Sequence, residues 1–192
     1  MSYAHDPRQN YLLAALPADE YAAELFPQLE RIAMPLGMVL HEPGRPPTYA
    51  YFPTTSIASL NYLTENGESV DVAVIGNEGI ASIALFLGGG STVNKAVVRS
   101  AGYGYRLRGQ VLKEAFGHGG PIQGLLLRYT QALLTQIAQT AVCNRRHTLD
   151  QQFCRWLLLC LDRLPFNRLG MTQQLIADML GMRREGVSVV AG

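Results

Sequence analysis

Between Glu30 and Arg108 the chain alternates short apolar runs with polar breaks. The runs are Ile32 and Met34, Met38 to Leu40, Tyr49 to Phe52, Ile57 to Leu63, Ser69 to Val74, Ala96 to Arg99 and Tyr103 to Leu107, and they are rich in β-branched and aromatic residues. Runs of this length and type read as strands. Turn-forming residues part them at Pro43-Gly44, Pro46-Pro47, Glu65-Asn66-Gly67 and Gly88-Gly89-Gly90. Asn66-Gly67 is the strongest hairpin signal of the chain, because both residues tolerate the positive φ that a tight hairpin turn demands. Short strands at this spacing predict a sandwich, jelly roll or barrel. Upstream, Asn10 to Leu16 and Ala18 to Phe26 read as two short helices. Pro17 opens the second, with Asp19 and Glu20 in its first turn. The pair is expected to form a lid over the strands.

After Leu107 the pattern becomes helical. Gln110 to Phe116 reads as a brief helix, and Gly119-Gly120 precedes a long one. From Ala115 to Asn144 thirty residues carry a single charge, Arg128. Leu127, Thr130, Leu134, Ile137, Ala141 and Asn144 step by three and four along one side, while Leu126 and Leu133 load another. An exposed helix carries a charged face, so this one is expected to be buried on two sides, one against its own domain and one against a second copy. The near-seven-residue repeat of Leu127, Leu134 and Ala141 suits a two-stranded coil. The candidates for a dimer interface are Leu126, Leu127, Leu133, Leu134, Ile137 and Ala141.

Arg145-Arg146-His147 reads as a polar hinge, after which Thr148-Leu149-Asp150-Gln151 has the form of a capping box opening a new helix. Leu149, Phe153, Trp156, Leu157, Cys160, Leu161 and Leu164 recur along it at helical spacing, and Pro165 ends it. Gln173 to Ala191 offers a helix, a glycine and a second helix. Ile176, Leu180, Met182, Val187 and Val190 are apolar where two crossing helices touch, Ala177 is small where they approach, and Gly181 permits the turn. Together these positions predict a helix-turn-helix.

Charge sharpens that reading. Residues 1–94 hold three Arg or Lys against ten Asp or Glu, a net −7, whereas residues 95–192 hold thirteen against five, a net +8. A basic C-terminal half suits an anionic partner. The longest apolar run, Ile80 to Leu87, is too short to span a bilayer, and no apolar signal core follows Asp6. A cytoplasmic protein with no membrane partner is expected. Cys143, Cys154 and Cys160 are odd in number and lack a Cys-x-x-Cys spacing, so they read as free thiols.

The order of these parts resembles the Crp/Fnr family of bacterial transcription regulators. Its local marks are Leu36-Gly37, Glu42-Pro43-Gly44, Tyr51-Phe52-Pro53, Gly76-Asn77-Glu78-Gly79, the Leu125 to Asn144 helix, Met171-Thr172-Gln173-Gln174-Leu175-Ile176-Ala177, and Arg183-Arg184-Glu185. The resemblance implies an α+β chain in three parts. Residues 1–117 form a β jelly roll like the cyclic-nucleotide-binding domain, 118–146 a dimerisation helix, and 147–192 a winged helix-turn-helix. The implied partners are a second copy and double-stranded DNA with a two-fold symmetric site. Thr172, Gln173, Arg183, Arg184, Glu185 and Ser188 are the DNA-binding candidates. Arg bonds guanine bidentately, Glu accepts from cytosine, and a Thr at a helix start lets backbone N–H groups meet phosphate.

Two departures from the family pattern change what is expected. Nucleotide-binding members carry Gly-Glu-Leu-Gly and, later, Arg-Ser or Arg-Thr before Ala; the Glu holds the ribose and the Arg the cyclic phosphate. Here Asn77 stands in place of that Glu, and Asn94-Lys95 precede Ala96. Lys95 lacks the planar fork of Arg. Cyclic AMP is therefore expected to bind poorly or not at all, and no cofactor is implied. Gly76, Asn77, Glu78, Gly79, Asn94 and Lys95 remain the candidates for a pocket whose effector is unidentified. Secondly, family members continue past the recognition helix into a β-hairpin wing, whereas this sequence reaches Gly192 inside that helix. The DNA-reading head is therefore expected to be incomplete over these residues, either because they are a fragment of a longer protein or because the head is naturally truncated, with weakened or lost DNA contact.

Two other functions compete. A cupin-type metal enzyme needs clustered ligands, but His5, His41, His118 and His147 are scattered, with no His-x-His pair. No Ser-His-Asp arrangement or phosphate-cradling Gly-Lys-Ser loop appears either, and Gly88-Gly89-Gly90 reads as a loop. The chain is not expected to be an enzyme. The other alternative is a truncated sensor and dimerisation module without competent DNA binding.

Overall fold

A computed structural model describes residues 6–17, 20–63 and 69–165. Among the described residues seven strands lie in two antiparallel sheets. One sheet has the order β1 (Glu30–Met34), β7 (Gly102–Arg108), β3 (Tyr49–Pro53). The other has the order β2 (Val39–His41), β6 (Lys95–Ser100), β4 (Ile57–Leu63), β5 (Ser69–Ile75). Every strand matches a run of the sequence pattern to within about two residues, the usual uncertainty of an element's end. Leu63 pairs with Ser69 in the antiparallel β4–β5 ladder. The expected hairpin is therefore present, although its turn at Asn66-Gly67 lies outside the described residues.

The alternation of side chains sorts each strand between two environments. Ala58 and Leu60 of β4, Ala73 and Ile75 of β5, and Ala96 and Val98 of β6 point into the core between the sheets. There they meet Met34, Ala50, Phe52, Tyr105 and Leu107 of the first sheet. Ile57 and Val74 join a second, smaller cluster on the opposite face of the larger sheet. On that face Arg99 donates to Asp71 through both Nη2 (2.7 Å) and Nε (3.0 Å), and Nε also reaches Ser59 Oγ at 3.0 Å. Asn61 Nδ2 completes the group with a 2.8 Å bond to Asp71.

Helices close the roll. The lid consists of α1 (Tyr11–Ala14) and α2 (Glu20–Leu25). Asn10 is fully buried and pins α1 to the roll, its Nδ2 donating to the carbonyls of Pro53 and Gly79, both at 2.8 Å. Its Oδ1 caps the helix by accepting from Leu13 N. Downstream, α3 (Gly109–Gly117) precedes the 27-residue α4 (Gly120–Arg146). The break falls at Gly119 and Gly120, with φ of 78° and 71°, a region open to glycine at little cost. Ala115 consequently belongs to α3, and the long helix starts later than the uncharged stretch.

Leu12, Leu13 and Leu25 share the main core with Leu112, Ile122 and Leu126, so lid, α3 and α4 form one apolar body. Farther along α4, the Gln136 amide accepts from Val74 N (2.7 Å) and donates to Val74 O (3.1 Å). Val74 lies on β5, the edge strand of its sheet, so a side chain here replaces a neighbouring strand. The capping box of Thr148 and Gln151 opens α5 (Leu149–Leu161). Among the described residues no helix is long and apolar enough to cross a membrane.

Candidate functional site

Between the rim of the larger sheet and α4 lies a cavity of about 390 Å³. Leu60, Ile75 and Ile80 form its floor side, Leu133, Leu134 and Ile137 of α4 its wall, and Leu87 to Asn94 part of its rim. One end is polar. His41 Nε2 lies 3.0 Å from Asn94 Oδ1 and Nδ1 lies 3.0 Å from Ser82 Oγ. Because the amide oxygen only accepts, Nε2 carries the proton and Nδ1 accepts from the serine hydroxyl. Burial lowers the His41 pKa against the opposing hydrogen bond to Asn94 and the charge of Glu42, so the ring is held neutral. Ser82 has a φ of 78°, the positive value found in one non-glycine residue among those described. A non-glycine residue holds this conformation only where its surroundings over-determine it, and Ser82 is buried at the cavity.

The sequence candidates for the pocket separate in space. Asn94 lines the cavity; Lys95 does not, and its ammonium pairs with Glu42 at 3.3 Å. Gly76, Asn77, Glu78 and Gly79 are also absent from the cavity walls. They form a turn clamped between three helical elements. Asn77 O accepts from Tyr11 N at the start of α1. A side chain on Gly79 would strike the Tyr129 ring of α4, and one on Gly76 would strike Arg163 just beyond α5. Glu78 accepts from Arg163 Nε at 2.6 Å. Tight packing is what the glycines serve here. His41, Ser82 and Thr92 were not among the candidates, since nothing local in the sequence ties residues forty apart. A buried-type polar residue closing the apolar run Val39-Leu40 was the available signal.

The exposed face of α4 is a second candidate site. Leu127 is 46 % exposed and Leu134 54 % exposed, and Ala141 is also exposed. These are the three residues of the seven-residue repeat. Leu126 and Leu133, by contrast, are sealed into the chain's own core, and Ile137 is half-buried against it. Thr130 likewise turns inward, its hydroxyl bonded to Leu126 O. The apolar positions of α4 therefore divide between the core and an open stripe.

Trp156, Cys160 and Leu164 pack α5 and the residues after it onto Ile57 and Val74. Burial raises the pKa of the Cys160 thiol, which keeps it protonated and unreactive. The DNA-binding candidates Thr172, Gln173, Arg183, Arg184, Glu185 and Ser188 lie outside the described residues, as does the predicted helix-turn-helix.

No protein-family model matches the chain, and no curated protein does. Solved structures do. A transcriptional regulator of the Crp/Fnr family from Eubacterium rectale is similar with a TM-score of 0.75 at 12% identity, over 95% of this chain and 85% of that one. FixK2 from Bradyrhizobium japonicum is similar with a TM-score of 0.71 at 19% identity, over 85% and 82%. The c-di-GMP-responsive global regulator CLP from Xanthomonas campestris gives 0.64 at 15% identity, over 85% of each. With its β jelly roll, closing helices and long α4, the chain has the fold of the Crp/Fnr transcriptional regulators.

Proposed function

We propose that the chain is a homodimeric, cytoplasmic, DNA-binding transcriptional regulator that responds to a small molecule held in the cavity. The reading rests above all on the likeness to a Crp/Fnr regulator over 95% of the chain. In this account residues 1–117 sense, 118–146 dimerise and 147–192 read DNA. The stripe of Leu127, Leu134 and Ala141 meets its copy in a partner chain, since an uncharged row at heptad spacing is the seam of a two-stranded coil. Leu134 belongs to both the stripe and the cavity wall, so the effector site adjoins the seam.

Arg184 and Glu185 face base edges, and Thr172, Gln173, Arg183 and Ser188 sit near phosphates or the groove. The test is selection from random double-stranded DNA, followed by salt-titrated binding of the full chain to the selected site. A two-fold symmetric sequence is expected. Arg184→Ala should cost about 1–3 kcal/mol on that site and relax its sequence preference. Arg183→Ala should weaken all sequences alike. Failure to select any sequence would leave a sensor and dimerisation module instead.

A further inference from the structure

The chemistry of the cavity narrows what it accepts. Among the described residues that line it, none is an Asp, Glu, Lys or Arg. Of the cations close in sequence to the lining, Arg45 is exposed and outside the cavity wall, and Lys95 and Arg99 are engaged elsewhere. Lys95 pairs with Glu42 at the surface, and Arg99 is held by Asp71 on the opposite face of the sheet from Val98. His41 spends both ring nitrogens on Ser82 and Asn94. A phosphate or carboxylate placed here would thus be a buried charge without a counter-charge, which is strongly disfavoured.

The polar end nevertheless offers hydrogen-bond donors, the Asn94 amide among them. Asn94 Oδ1 accepts from His41 Nε2 at 3.0 Å, while the Thr92 hydroxyl donates to the Asn94 backbone carbonyl at 2.6 Å. The Asn94 amide N–H groups donate to none of the described residues, and Asn94 lines the cavity. Most of the remaining wall, from Leu60 and Ile75 to Leu133 and Ile137, is apolar, with Ser91 and Tyr62 also in the lining. About 390 Å³ falls within the range of small-molecule pockets, where a few polar groups orient a mostly apolar ligand.

We propose that the cavity takes an uncharged, mainly apolar small molecule bearing an oxygen acceptor that Asn94 engages, and that it rejects cyclic nucleotides and other anions. This rests on reading the cavity as the effector site. It drops one half of the sequence-based reason for expecting weak cyclic AMP binding, since Asn77 lies away from the cavity, and keeps the other, since no arginine fork stands at Asn94-Lys95 and no described lining residue is a cation.

The test uses the full chain and a neutral fluorescent probe, N-phenylnaphthylamine, displaced by competitors that share one alkyl chain and differ in charge. Decanol should displace the probe about tenfold or more better than decanoate, and cyclic AMP should not displace it. Ala84→Trp, which fills the cavity from a half-buried lining position, should abolish probe binding. Tyr62→Arg, at a more exposed lining position, places a cation at the rim and should reverse the preference toward decanoate. Circular dichroism confirms the fold of each variant. If decanoate or cyclic AMP competes as well as decanol in the unmodified chain, the ligand class is wrong while the cavity remains a binding site. If no probe saturates, or if folded Ala84→Trp binds it unchanged, the cavity as effector site falls too.

Discussion

Neighbouring leucines of α4 should behave oppositely when changed, and this comparison probes the dimer most sharply. Leu133 is 3 % exposed and Leu134 is 54 % exposed in the single chain. Leu133→Ala opens a hole in the chain's own core and should cost about 2–5 kcal/mol of folding stability. Leu127→Glu with Leu134→Glu should leave the single chain folded and act on association. About half of each side chain remains open, so its burial across the proposed seam should contribute roughly 1 kcal/mol, half the value for a fully buried leucine. Two residues from each of two chains give about 4 kcal/mol, or roughly a thousandfold in the dimer dissociation constant. Repulsion between the new carboxylates adds to this. Sedimentation equilibrium across micromolar concentrations reads the association, and urea unfolding reads the fold. An unmodified chain that is monomeric throughout, or a double variant that dimerises as tightly, would refute the reasoning.

Two further outcomes concern the roll. Asp71→Ala leaves the Arg99 guanidinium buried without its partner and should cost about 3–5 kcal/mol in urea unfolding; a loss below about 1 kcal/mol would mean that the pair is solvated. His41 gives a pH dependence. Burial holds its folded pKa below the ordinary 6.5, so the unfolded chain binds more protons between the two values. The stability it contributes is fully present above pH 6.5 and is lost as pH falls from there through the lowered folded pKa. His41→Gln should remove this component, seen as a flatter dependence of the urea midpoint on pH in that window.

Strands and caps were legible because their causes are local. Ile57 to Leu63 is bounded by turn residues, and the Thr148 capping box closes within four residues. The two faces of α4 were only partly legible. Leu127, Thr130, Leu134 and Ile137 follow one another at helical steps, yet Thr130 and Ile137 lie on the flank nearer the core, and only the position of the roll decides which way a flank residue turns. The cavity was the least legible part. His41, Ser82 and Asn94 come from three separate segments, and their meeting depends on the pairing of β2 with β6 and on the path of the chain after β5. The Gly76-Asn77-Glu78-Gly79 motif drew attention as a pocket by resemblance, while here its small residues admit Tyr129 and Arg163.

The central claim is a dimer whose long helices set two DNA-reading heads on one symmetric site. Its most direct test is the stoichiometry and spacing dependence of binding to the selected DNA. Two recognition helices entering successive major grooves require half-sites about 10 base pairs apart, centre to centre. Native mass measurement of the complex should find two chains per site, and inserting about 5 base pairs, half a helical turn, should abolish high-affinity binding, while inserting about 10 should partly restore it only if the DNA bends back. One chain per site, or affinity indifferent to the half-turn insertion, would contradict the account.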